Sequence, residues 1–483
     1  MRFLVLCFLS FQIAYGEVCV ALRGNGNWVG AHFGAMARIV ETEGRVTALA
    51  GGSSATVTSF LYESILANTS VEKDDEIAFL LKSIYGYMHS NQLKLKKSFT
   101  SLSELQTSDI FRSIKPPEQN LKANLLGAFS RLELGRILSA DMLDFLSRED
   151  LDLEYRWSEA QKSFENLQSF DASDPASFIR PGFINFRSLA SLIGYIGDYY
   201  AGEQLTAIEK GEQKKWLFDC ASKTRDLSWS EIQVQVPHCA RTLVSRLDHY
   251  LLDQISQGRQ SRRLNHLVGE RAYTLISTAV LQGIEADRSL KAAQTRFYTG
   301  QKIDHLSFDF ERDVKFGYWG QSDQYRILSQ NLSRSFVDAK SKKFLALGRI
   351  TWREVLRLSP AEPGLAPARK FSNEDGEDFW SVGGWSDLHP VQVLKASGCD
   401  DVIYVTRRGE EALLAESASK SLGASESQRT RLYSLEHEDS AFRQALKHSR
   451  SWCTNWSDYS AGEILEMSEE AYFSGIHEDS QGC

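Results

Sequence analysis

Gly51-Gly52-Ser53-Ser54-Ala55 is the segment of this chain best suited to do chemistry. It lies between an apolar run, Val46–Ala50, and a stretch with helical spacing, Val57, Phe60, Leu61 and Ile65. A serine on a sharp strand-to-helix turn is the nucleophile elbow of acyl hydrolases, written G-x-S-x-G. Here Ala55 takes the place of the last glycine. Small neighbours are needed because bulk beside the serine would strike the sheet or block an ester. The helix that follows aims its positive end at the charge developing on the substrate. A plain Gly-Ser turn is the competing reading of the same residues.

A second segment, Gly24-Asn25-Gly26-Asn27-Trp28-Val29-Gly30, follows the first apolar run, Val18–Leu22. Its backbone N–H groups, around Gly24, Asn25 and Gly26, are candidate donors to an oxyanion. The same glycines read loosely as a dinucleotide turn. Against that reading, Trp28 would crowd a pyrophosphate, and the second strand runs into a serine rather than a ribose-binding acid. No C-x-x-C or His/Cys cluster suggests a metal, and no cofactor is expected.

The elements that must hold these residues follow from periodicity. Val18–Leu22 and Val46–Ala50 are short and wholly apolar, as buried parallel strands are. Phe33, Met36, Ile39 and Val40 fall on one face of a helix between them. Strands alternating with helices argue an α/β fold with a sheet covered on both faces. Pro116-Pro117 punctuates the chain, and the stretch to about residue 340 is mostly helical in pattern. Within it Leu306, Phe308 and Phe310 alternate, as do Val314, Phe316 and Tyr318, which suggests a hairpin or edge strands. After Pro360, Pro363 and Pro367 the α/β pattern returns, with Val402–Val405 as a strand. The expected division is 1–16 leader, 17–115 first part of the core, 116–340 helical insertion, 341–425 second part of the core, and 426–483 helical extension.

Taken together these segments resemble the patatin-like phospholipase family. That family opens with a strand, a glycine-rich oxyanion loop and a helix, then a strand and a serine elbow. Ala31-His32-Phe33-Gly34 matches its helix start, while Trp28 stands where a basic residue is usual. Trp352–Gly364 is similar to its helix and A-S-x-A-x-P segment, and Val382–Val391 to its D-G-G-x-x-x-N-x-P-V segment. The resemblance implies a three-layer α/β/α serine hydrolase core acting on phospholipid or lysophospholipid, with a membrane surface as an admissible partner. It also implies an aspartate partner for Ser53, but the matching position is Val382. Three readings stay open. Asp387 in the same loop supplies the carboxylate, or His32 or His389 is the base, or the protein binds lipid or protein without cleaving it. Among these Asp387 is favoured.

The net charge of −8 gives no basic field for nucleic acid or an anionic membrane. Arg2, the apolar run Phe3–Leu9, and Ala14 and Gly16 at the −3 and −1 positions read as a signal peptide cleaved after Gly16. The expected destination is the periplasm or the extracellular medium. The six remaining cysteines make disulfides plausible, with Cys220 and Cys239 the most local pair. Asn68, Asn331 and Asn455 head glycosylation sequons. The aromatics Trp216, Trp229, Tyr318 and Trp319 suit either core packing or a lid facing lipid.

Overall fold

The computed structural model describes residues 18–24, 29–107, 186–203, 205–253, 259–264, 273–282, 314–320, 344–360, 369–373, 375–381, 383, 390–407, 449–455, 459 and 463–477. The expected leader at 1–16 and the alternation at 306–310 lie outside them. Among the described residues no helix is long and apolar enough to cross a membrane.

One mixed sheet organises the chain. Strand β1 (Cys19–Leu22) is central, with β2 (Ala48–Gly52) on one side and β8 (Val402–Arg407) on the other, both parallel to it. Outside them β3 (Tyr273–Gln282) runs parallel to β2, and β9 (Arg450–Thr454) parallel to β8. Beyond β3 come β4 (Val314–Trp319), antiparallel, and β5 (Phe344–Gly348). At the other edge β10 (Ile476–His477) pairs antiparallel with β9. A short ribbon of β6 (Arg369–Ser372) and β7 (Asp378–Ser381) joins the sheet antiparallel to the far end of β3.

The sheet is buried on both faces because its strands alternate between two cores. Val20, Leu22, Leu49, Ile403 and Val405 pack with α1 (Val29–Glu43), α2 (Ala55–Ala67) and α3 (Asp74–Thr107). Cys19, Ala21, Ala48, Ala50, Val402 and Tyr404 face the other way. There they meet Val391, Val393 and Leu394 of α9 (Pro390–Ala396). Helices α4 (Phe186–Ala201), α5 (Ala207–Thr224), α6 (Trp229–Gln235) and α7 (Pro237–Asp253) give the central stretch its helical character. The same stretch also supplies β3 and β4 to the sheet, and β4 is an inner strand rather than an edge. Trp229, Tyr318 and Trp319 are fully buried and Trp216 packs against the core, so these four form no lid.

The described residues between 450 and 477 sit inside the fold rather than beyond it. β9 extends the parallel sheet, and α10 (Ile464–Phe473) lies across α1. The approach is close because α1 carries glycines there. A Cβ on Gly34 would stand 1.9 Å from the Ser468 carbonyl oxygen, and one on Gly30 would stand 2.6 Å from its Oγ. A buried charge network closes this contact. Glu41 of α1 accepts from Lys82 of α3 at 2.7 Å and from the Tyr472 hydroxyl of α10 at 2.6 Å. Lys82 also donates to the carbonyls of Thr224 and Leu227. Every proton of the ammonium is thus met, as a buried charge requires.

Two disulfides join described cysteines, Cys220–Cys239 and Cys19–Cys399. The first is the expected local pair. The second ties β1 to the turn after α9. Asn68 is buried, and its amide nitrogen donates to the Tyr200 carbonyl and to Gln213. Its sequon is therefore closed to a glycan in the folded chain.

Candidate active site

Ser53 occupies the turn between β2 and α2 with φ of +52°. A left-handed serine is uncommon and costs of order 1–3 kcal/mol, so surrounding structure must impose it. The sequence builds the turn from small residues for a steric reason. A Cβ on Gly51 would lie 2.6 Å from the Ala55 Cβ and 3.3 Å from the Leu22 carbonyl oxygen. Helix α2 starts at once, with Thr56 N–H donating to the Ser53 carbonyl and Val57 N–H to that of Ser54. The positive end of α2 therefore falls at the serine. Ser53 is 6% exposed.

The N–H of Ser53 leaves the ladder where β2 ends, since Gly52 is the last residue paired with β3. It donates instead to the hydroxyl of Ser359, at 2.9 Å. Ser359 caps the end of α8 (Trp352–Leu358), and its own N–H bonds the Val355 carbonyl. The preceding carbonyl, that of Leu358, accepts the Ser381 hydroxyl at 2.6 Å. Ser381 Oγ also lies 2.9 Å from Thr278 Oγ1, one residue along β3 from the partner of Gly52. So the end of α8 touches the elbow with one residue, Ser359, and the end of β7 with the residue before it.

β7 leads into the loop that carries Val382, Asp387 and His389. Those three residues lie outside the described set, but both flanks are placed. Ser381 stands beside β3 as above, and Gly383 is buried with φ of +32°, a conformation that favours glycine. Pro390 begins α9, which returns toward the start of β8, so this flank lies at the carboxyl end of the parallel strands. In open α/β sheets ligands bind at that end.

The other segment leaves β1 at the same end. Arg23 N–H still bonds the Val405 carbonyl of β8, and Gly24 is buried. Asn25, Gly26 and Trp28 are outside the described residues. The loop is spanned by His32 in the first turn of α1. His32 Nε2 lies 2.7 Å from the Arg23 carbonyl, and Nδ1 lies 3.1 Å from Thr58 Oγ1 of α2. A carbonyl can only accept, which fixes the proton on Nε2 and leaves Nδ1 to accept from the threonine. Burial pushes the imidazole down to about 4, against the opposing pull of the Arg23 carbonyl. Both nitrogens are engaged and the ring is fully buried, so the reading of His32 as the base for Ser53 is overturned. Its place is structural, tying the start of the glycine loop to α1 and α2.

One grouping of metal-ligand type occurs among the described residues, Cys220, His238 and Cys239. Its two sulfurs are joined to each other, which removes the thiolates a metal would take. The sequence hid it, because Cys220 stands well apart in the chain from the adjacent His238-Cys239 pair. Ser381 was also unmarked by sequence, and Ser359 stood in the block similar to the A-S-x-A-x-P segment with no role assigned to it. No protein-family model, curated protein or solved structure matches this chain.

Proposed function

We propose that this protein is a serine acyl hydrolase with a patatin-like three-layer core, acting on lipid esters as a phospholipase A or lysophospholipase. The observation that carries the reading is Ser53 at φ +52° between a central parallel strand and a helix N-terminus. A Gly-Ser turn without chemistry has no need of a left-handed serine, which strain would select against. The reading is supported also by four separated segments, the end of β1, the elbow, and the ends of α8 and β7, which lie at the carboxyl end of one sheet. A dinucleotide site is disfavoured by the Gly-Ser-Ser end of β2, which offers no carboxylate to a ribose.

In this mechanism Ser53 Oγ attacks the acyl carbonyl while Asp387 takes its proton and later returns it to the leaving alcohol. Backbone N–H groups around Gly24, Asn25 and Gly26 hold the tetrahedral oxyanion, each donor contributing about 2.7–4 kcal/mol. Water then releases the fatty acid by the same steps in reverse order. No metal or cofactor enters the scheme. By the same reading the protein is exported, and its lipid comes from a membrane or micelle surface.

The test is fatty-acid release from mixed phospholipid micelles. The protein should release fatty acid, Ser53→Ala should lose at least about a thousandfold in rate, and Asp387→Asn should lose a comparable amount. Unchanged release by Ser53→Ala would defeat the reading. One observation favours a second reading, a lipid- or protein-binding role without catalysis: Val382 stands where the resemblance calls for the acid. Under that reading lipid co-sediments with the protein and no ester is cleaved.

A further inference from the structure

We infer that Ser359 is a positioning residue for the Ser53 nucleophile, holding the elbow in its reactive conformation through the Ser53 peptide N–H. This rests on the reading of Ser53 as nucleophile.

The peptide between Gly52 and Ser53 can lie in two ways. In one, φ of Ser53 is positive and the N–H points at Ser359. A crankshaft rotation of that peptide would return Ser53 to negative φ and turn the N–H away. Gly52 tolerates the required change in ψ, having no side chain to clash. Local sterics favour the rotated form, so something must hold the strained one. The β2 ladder cannot, because it ends at Gly52. The Ser359 hydroxyl can, because it offers an acceptor only to the strained form.

Ser359 is itself fixed. It is fully buried, and its backbone closes α8 through the Val355 carbonyl. The other end of α8 is anchored on α2, the helix that follows the elbow. Trp352 Nε1 donates to Glu63 at 2.5 Å, and its ring meets Phe60 edge-on at 5.2 Å. Glu63 is in turn paired with the buried Arg259 at 2.8 Å. A Thr351–Glu354 capping box closes the first turn of α8. So α8 lies along α2 with Trp352 at one end and Ser359 at the other, and it cannot slide relative to the elbow. A bland role, satisfying one orphaned N–H, would affect stability alone. A positioning role also affects how often Oγ points at substrate, which appears in kcat and not in KM.

The experiment uses the full chain and compares the native protein with Ser359→Ala, Ser359→Thr and Ser359→Cys. Hydrolysis of a short-chain p-nitrophenyl ester and labelling by a fluorophosphonate are followed on protein shown folded by its melting curve. Ser359→Ala should lower kcat and the labelling rate alike by ~10–100-fold, with KM within about twofold. Ser359→Thr, which keeps the hydroxyl, should stay within about threefold of native. Should Ser359→Ala fail to fold, Ser359→Cys keeps the volume with a weak acceptor and should show an intermediate loss. A native labelling rate in folded Ser359→Ala or Ser359→Cys would overturn the inference and leave Ser53 as nucleophile. Absence of labelling in the native protein would overturn both.

Discussion

Ser53 and His32 are both buried polar residues near the same sheet end, yet chemistry assigns them different work. Ser53 is held in a strained conformation at the start of a helix, while His32 has each nitrogen in a hydrogen bond. The histidine has a testable signature. Its folded pKa of about 4 lies below the unfolded value of 6.5, so the unfolded chain binds more protons between those values. Its contribution to stability is complete above pH 6.5 and is lost as pH falls toward 4, amounting to at most about 3 kcal/mol. Unfolding free energies of the native protein and His32→Asn should therefore converge as pH drops from 7 to 4. Parallel curves would show that His32 is not buried neutral. Sequence pattern marked both residues but could not rank them, because a motif does not say which nitrogens are already bonded. The buried charges Glu41, Lys82, Glu63 and Arg259 were illegible for a similar reason: in sequence they look like surface residues, and only tertiary partners bury them.

At the scale of elements, the legible parts are those whose local pattern decides their state. β1, β2 and β8 are short apolar runs bounded by polar or glycine residues, and α1 and α2 carry one apolar stripe each. β9 was not legible. Arg450-Ser451-Trp452-Cys453-Thr454 is mixed in polarity, and its burial comes from β8 on one side and α10 above. β3 was hidden within a stretch of helical pattern, although its core residues Leu275, Ile276, Val280 and Leu281 are fully buried. The contact of α10 with α1 depends on Gly30 and Gly34, which the sequence marked only for the loop and the helix start and not for a helix packed across them. Gly34→Ala should lower stability by about 1–3 kcal/mol, because the new methyl group meets backbone that cannot rotate aside. Urea unfolding measures this; a neutral substitution would mean that α10 is not docked at this distance.

Over the whole molecule, the first and last described strands lie near one another in a single sheet, and the central stretch feeds β3 and β4 into the same sheet. The segments of the candidate site come from residues near 24, 53, 359 and 381, so no short fragment of the chain contains it. The Cys19–Cys399 bond, with a sequence separation of 380, links β1 to the turn that follows α9. This arrangement explains why resemblance to a lipid hydrolase was readable only in separated blocks, with described strands and helices of the same sheet lying between them in the chain. All of this turns on Ser53 acting as a nucleophile held on an elbow. That role is tested most directly by treating the folded protein with a fluorophosphonate and mapping the adduct by peptide mass spectrometry. One adduct is expected on the peptide containing Ser53, with none in Ser53→Ala; a folded native protein that takes no adduct there rules out Ser53 as the nucleophile.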